Sequence, residues 1–560
     1  MNQRIMPKFK TFPCTALALA FGAALPALAQ QAPDAGQTLR ELTPPPSAPR
    51  PSAEVKVESP AATATAPGGA QVTVQTVSIG GSQIFSEAQL LAVLGEVTGK
   101  SYDLAGLRAL AARVSDYYHA QGYPFARAYL PPQPMTEGRL RIEVVEGRYG
   151  QVKAVGDEKL AARAQGFLSP LKSGAVIDSK TLERTTLILS DQPGIAAAPL
   201  IRPVQEVGMG DLDVRVSRTR AISGDVGVDN HGNRFTGENR LHANVQWDSP
   251  FLVGDQVVAR GLYTEEDLWL GSLGYSLPVG SSGLRANVGY AFTEYQLAKD
   301  FANLDATGTA EVSSAGVSYP LIRSQSANLS VASTYQHKQL HDRQGSASTD
   351  NRKSSDSLPV AVQFDRRDNL GGGGVTYGSL TYTPGKLSLD DSLATSDTTS
   401  GQQTRGNFHK VNLDLARVQA LPVGFTLFGR ASSQWANKNL DSSEGFSLGG
   451  ANGVRAYPTG EGNGDGGWFA QFELRYAIGD FSPYIFHDTG RAEINAKTDN
   501  LSPAVTTNKR TISGSGLGVR YQHGNWNADV SAAWRTDGGA ALSDTRDRNP
   551  QIWVSTGYKF

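Results

Sequence analysis

The sequence predicts α+β modules followed by an all-β transmembrane barrel of about 16 antiparallel strands. Three observations carry that reading. Alternating segments run from about Ala221 to the terminal Phe560, a β-α-α-β-β order occurs twice ahead of them, and an apolar leader opens the chain.

The leader comes first, at 1–29. Arg4, Lys8 and Lys10 precede an apolar stretch from Cys14 to Leu25, and Ala27-Leu28-Ala29 resembles a cleavage site, as in secretory signals. Cys14 is the chain's one cysteine and has no lipobox around it, so the mature chain has no disulfide to form in an oxidising compartment. Residues 30–70 are rich in Pro, Ala, Thr and Ser, including Pro44-Pro45-Pro46, a composition that stays extended for lack of a core. Within that stretch, Asp34 to Leu42 has a capping aspartate and apolar Leu39 and Leu42 three apart, enough for two helical turns. So short a helix is marginal in water and needs a docking site.

The first module spans 71–148. Val72–Val74 and Val77–Ile79 read as a strand, Ser86 to Val97 as a helix capped by Ser86, and Asp103 to Gln121 as a second helix. The second helix has Leu104, Leu107, Ala111, Val114 and Tyr118 on one face. Strands follow at Phe125–Leu130 and Arg139–Val145. The second module, 149–218, repeats the order: a strand at Gln151–Val155, helices at Lys159–Leu168 and Ser179–Leu189, then strands at Ile195–Ile201 and Asp211–Val216. Outer strands of such sheets can bind an extended chain by strand addition.

The barrel occupies 219–560. Its segments are around ten residues long, the length that crosses a bilayer at a tilt. Leu284, Ala286, Val288 and Tyr290 oppose Arg285, Asn287 and Gly289, and Phe472, Leu474 and Tyr476 oppose Glu473 and Arg475. One face suits outer-membrane lipid and the other a polar lumen, and closure leaves no unpaired backbone edge. The last strand, Gln551–Phe560, ends on an aromatic residue, a common outer-membrane targeting pattern.

Composition narrows the function classes. After the first thirty residues no stretch approaches the ~20 apolar residues of a membrane helix. The 61 glycines and 19 tyrosines fit turns and amphipathic strands, and a formal charge of −1 without a basic stripe argues against nucleic acid. Gly95–Ser101 is one residue short of a phosphate-binding loop and ends a helix. Gly462, Gly464 and Gly467 precede a strand without a βαβ context. No metalloprotease or nucleophile-elbow motif occurs and the eight histidines are scattered, so no enzyme, cofactor or metal site is expected.

Two segments depart from alternation: the glycine-rich stretch Leu448–Asp465, with Val454, Arg455, Ala456 and Tyr457, and Tyr484–Gly490, with Phe486, Asp488 and Gly490. If the loop folds inward, Arg455 could meet Asp488 through two parallel hydrogen bonds. Spacing alone favours a flexible surface loop with a solvated arginine.

With these motifs the chain resembles the two-partner secretion transporters, the TpsB or ShlB/FhaC/HecB family. VRAYPTGE is similar to the family's VRGY motif, FHDTG to its F-x-D-x-G motif, and LSDQPGI (Leu189–Ile195) to the end of the second module's helix. The resemblance implies POTRA modules in the periplasm, a helix at Asp34–Leu42 that plugs the pore, and a lumenal loop locked through Arg455 and Asp488. It further implies a monomer that exports an unfolded TpsA-type exoprotein, an adhesin, haemolysin or toxin. Ala456 stands where the family usually has glycine; alanine resists positive φ, so the loop tip is expected to differ. The alternative is an assembly factor that inserts other barrels. Such factors typically carry more POTRA modules and lack the plug helix.

Overall fold

A computed structural model describes residues 32–42 and 68–560; the leader with Cys14 and most of the proline-rich stretch lie outside them. No described helix is long and apolar enough to cross a membrane.

The strands from Ile222–Asp229 to Gln551–Lys559 close into a barrel of sixteen antiparallel strands, counting the collinear segments Thr349–Ser357 and Val360–Asp368 as one. Both segments pair with the same two neighbours. They are separated at Leu358-Pro359, where proline has no N–H to give to the ladder. Ser555–Lys559 closes on Asp225–Asp229, and Gly224 and Phe560 exchange backbone bonds of 3.0 and 2.9 Å.

Alternation sorts the faces. On Gly466–Tyr476, Trp468, Phe472 and Leu474 are exposed toward lipid, while Phe469, Gln471 and Glu473 are buried inside. The ten-residue length fails on one side: Ala306–Arg323 and Ala327–Gln344 are 18 residues each. Their upper halves rise past the apolar band, where the outward register turns polar at Glu311, His337, Gln339 and His341. Thr349–Ser357 escapes the sequence reading for the same reason, being polar on both faces.

Each module is a three-stranded sheet with helices on one face. In the first, Arg139–Val145 lies between Thr76–Gly80, parallel, and Arg127–Tyr129, antiparallel. Val72–Thr73 pairs separately with Ser101–Tyr102, so the segment read as one strand is two. Ser86 and Asp103 cap helices Glu87–Leu94 and Leu104–Ala120. Leu107, Ala111, Val114 and Tyr118 pack on the sheet with Leu110, whereas Leu104, in the first turn, is 49% exposed. Burial pushes the Tyr118 hydroxyl up to about 12. In the second module Met209–Arg218 lies between Arg148–Gly156 and Ile195–Pro203. Its chain passes into the first barrel strand through Thr219, Arg220 and Ala221. That junction marks the periplasmic end of the barrel.

Candidate functional site

Among the described residues two elements fill the lumen: the helix Ala35–Glu41, called α1, and the loop 437–465 that joins Phe425–Ala436 to Gly466–Tyr476. The loop leaves the extracellular end and turns back inside. Its own bonds shape it: Phe446 and Gly464 exchange backbone bonds, the Val454 N–H donates to the Leu448 carbonyl at 2.7 Å, and the Gly450 N–H donates to Tyr457 at 3.0 Å.

At the loop tip Arg455 meets Asp488. Nε and Nη2 of Arg455 donate to the two carboxylate oxygens, each at 2.7 Å, and its backbone N–H adds a 3.1 Å bond. Nη1 donates to Glu473 at 2.6 Å, and the guanidinium lies 3.6 Å from the centroid of the Phe486 ring. Arg455 is 4% exposed and Asp488 0%. A fork of donors between two carboxylates and over an aromatic face uses the planarity that lysine lacks. Alternation along Phe481–Glu493 aims Phe486, Asp488 and Gly490 into the lumen together.

The neighbours tighten the lock. The indole N–H of Trp553 donates to the Arg455 carbonyl at 2.7 Å, and the Tyr457 hydroxyl donates to the carbonyls of Asp537 and Gly539 at 2.7 and 2.9 Å. Gln471 holds the Gly453 carbonyl at 2.8 Å, and Val454 is fully buried. Gly490 faces Leu448 of the loop. Glu461 accepts from Arg510 at 2.8 Å and from Leu542 and Ser543 N–H groups at 2.9 Å, tying the loop to the segment before the last strand.

Ala456 is absent from the residues of positive φ, so an alanine there is unstrained. Its methyl group rests against Gly514, where an added Cβ would lie 2.2 Å from it. Lack of a side chain at 514 makes room for one at 456.

Helix α1 sits at the extracellular end of the lumen. Asp34 caps it, accepting from Gln37 N–H at 2.8 Å, and also takes Lys353 Nζ at 2.8 Å and Ser442 Oγ at 2.6 Å. Arg40 donates to the Ser442 carbonyl at 2.9 Å and to Asn463 at 2.7 Å, and Asp342 accepts from Ala35 N–H at 2.8 Å. Leu39 and Leu42 are half-buried against a cluster that includes Phe235, Leu268, Tyr295 and Leu340. The deepest positions are small ones, Ala35, Gly36 and Thr38. A Cβ at Gly36 would lie 2.3 Å from Ser442 Oγ and 2.5 Å from Ser443 N, so the helix approaches the loop backbone as only glycine permits. Burial opposes ionisation of Asp34, but Lys353 and the bonds from Ser442 and Gln37 outweigh it and lower it to about 2. Burial raises Glu41.

Leu39 and Leu42 mark the helix in the sequence, but Asp34, Gly36 and Arg40 make its specific contacts. Asp34 was visible as a cap; its partners Lys353 and Ser442 lie more than 300 residues away and have no local signal. Glu473, the second carboxylate on Arg455, was visible only as an inward position.

The profile described as haemolysin secretion/activation protein ShlB/FhaC/HecB matches residues 208–521, and that of the ShlB-type POTRA domain matches 72–147. The chain belongs to the ShlB/FhaC/HecB family. The heme/hemopexin transporter protein HuxB of Haemophilus influenzae is 27% identical over 83% of each chain. The outer membrane transporter CdiB of Dickeya dadantii is 22% identical over 75% of each. The structure of CdiB from Escherichia coli superposes with a TM-score of 0.71 at 20% identity, covering 91% of this chain and 94% of that one, and shows the shared fold. This ShlB/FhaC/HecB chain is an outer-membrane barrel transporter of two-partner secretion with periplasmic POTRA modules.

Proposed function

We propose that this transporter receives an unfolded exoprotein on its POTRA modules and exports it through a lumen that α1 plugs at rest, with the loop as a fixed part of the wall. The observation that carries this is the contrast in attachment. The loop is fastened to the barrel by the Arg455–Asp488–Glu473 cluster and by a second one, in which Glu444 takes Lys338 at 2.6 Å and Lys410 at 2.7 Å. α1 is a seven-residue helix with an ion pair from Asp34 to Lys353, hydrogen bonds from Arg40, and small residues and half-buried leucines against the wall. The exported chain is a TpsA-type exoprotein, an adhesin, haemolysin or toxin, and one barrel serves as the unit of transport.

Strand addition on the modules meets unequal edges. The Ile79 N–H is capped by Glu87 at 2.9 Å, Ala128 by Ser115 at 2.9 Å, and Ala154 by Gln165 at 2.8 Å. Each cap is a side chain, and displacing one costs about 1 kcal/mol. Ile195–Pro203 is different: Pro199 and Pro203 have no donor to offer an incoming strand. Reception by pairing therefore belongs to the capped edges. The proposal is tested by secretion of a co-expressed candidate exoprotein with and without this chain. Dependence on the chain supports it, and equal amounts outside the cell in both cases defeat it.

A further inference from the structure

The segment Leu189–Ile195, at the end of the second module's helix Ser179–Ser190, takes no part in the lumen. Leu189 and Ile195 are buried in the module's core, and Asp191 to Gly194 between them meet the barrel rim. Asp191 receives Nε and Nη2 of Arg323, both at 2.6 Å. Gln192, 3% exposed, donates its amide to the Ile188 carbonyl at 2.7 Å and accepts from Arg285 Nη1 at 3.1 Å, so both ends of its side chain are engaged. The Pro193 carbonyl accepts from Ser249 Oγ at 2.6 Å.

The helix body adds to this. Arg184 donates to the carbonyls of Pro320 at 2.7 Å and Leu321 at 3.1 Å, and Glu183 accepts from Gln325 N–H at 2.7 Å. These partners sit along the rim: Ser249 just after the second barrel strand, Arg285 at the start of the fifth, Pro320, Leu321 and Arg323 at the end of the sixth, and Gln325 just beyond it. A fourth connection is covalent, the short run Thr219–Ala221 into the first strand. Attachments spread around an arc resist rotation about any single hinge, and a bidentate arginine–carboxylate pair fixes direction as well as distance.

We infer that the Asp191-Gln192-Pro193 turn welds the second module to the barrel and that the weld stays closed while a chain is exported. Asp191 and Gln192 are positioning residues: they set the angle at which the module meets the pore mouth. Opening of the path then falls to elements inside the lumen. This rests on the transporter reading above.

The test replaces Asp191 and Arg323 by cysteine and compares secretion of a co-expressed exoprotein before and after bridging with a short, reducible bis-thiol reagent. The bridge spans the gap that the ion pair fills. Bridged protein is expected to secrete at least as well as unbridged protein, with reductant giving no gain. A fall in secretion on bridging, reversed by reductant, overturns the inference. Failure of the unaltered chain to secrete that exoprotein counts against the transporter reading and leaves the weld to a second measurement. For that, spin labels at Lys172→Cys and Val279→Cys, both exposed and neither a partner in the weld's hydrogen bonds, report the module-to-rim distance in the purified full chain. One narrow distance, unchanged by added exoprotein, is expected. A broad or two-peaked distribution overturns the weld whether or not the double-cysteine variant folds.

Discussion

Loop 437–465 and helix α1 lie in the same lumen and touch at Ser442 and Asn463, yet they are held by different physics. The loop's central arginine is buried between two buried carboxylates and stacked on a ring; removing it strands the Asp488 charge out of water. The helix is short, caps itself with Asp34, and rests on small residues and half-buried leucines. Without α1, Lys353 retains Asp441 at 2.7 Å and the Glu444 cluster is untouched. The docking site survives departure of its occupant, whereas the loop's anchor has no meaning without the loop. On the proposed function, one element stays and the other leaves.

Predictions follow the size of that difference. Arg455→Ala leaves Asp488 buried without its cation, while Glu473 keeps Arg475 and Arg520, a loss of about 3–5 kcal/mol in loop attachment. Secretion is expected to collapse while heat-modifiable mobility of the barrel persists; normal secretion by a correctly inserted variant contradicts the lock. Arg455→Lys keeps the charge but loses the fork, and should restore little.

Gly514→Ala brings two methyl groups together at the loop tip and should cost ~1–3 kcal/mol, the usual range for overpacking. Adding Ala456→Gly removes the opposing methyl, so the double variant should recover much of the loss. Unfolding midpoints of the two singles and the double measure this, and simple additivity would show that the contact is not what limits the tip.

Gly36→Val should displace α1 from Ser442 and Ser443 while leaving the loop's anchors at Arg455 and Glu444 in place. Larger conductance in planar bilayers, with secretion retained, is the expected result; unchanged conductance would mean the helix does not obstruct the pore.

The smallest effect is that of pH. Docking lowers Asp34 to about 2, so its contribution is complete above its ordinary value near 3.8 and is lost only as pH falls through about 2. Burial raises Glu41, which opposes docking when ionised, and protonation on acidification relieves that. Between pH 7.5 and 5 the helix should stay in place or tighten. Conductance that rises on acidification would contradict this account.

Much of the fold was legible because barrel strands obey a period of two against lipid, a constraint that acts on every residue. The expected count of about sixteen strands agrees with the closed barrel for that reason. Where lipid ends the constraint ends, so the tall extracellular extensions and the segment Thr349–Ser357 were hidden. The site was legible as two motifs and their pairing chemistry, but not as a three-part cluster. Glu473, Trp553 and Gly514 come from other strands, and only barrel register brings them to Arg455. The helix was visible by its cap and leucines, while the lysine and serine that hold it are set by closure of the whole barrel.

The separation of the two elements is tested most directly by fastening them together. Arg40 and Asn463, whose side chains meet at 2.7 Å, are replaced by cysteine and bridged with a reducible bis-thiol reagent, and exoprotein secretion is measured before and after reduction. The account predicts that the bridged chain does not secrete and that reductant restores secretion to the level of the single-cysteine controls. Undiminished secretion by the bridged chain would show that α1 need not leave the loop, and would contradict it.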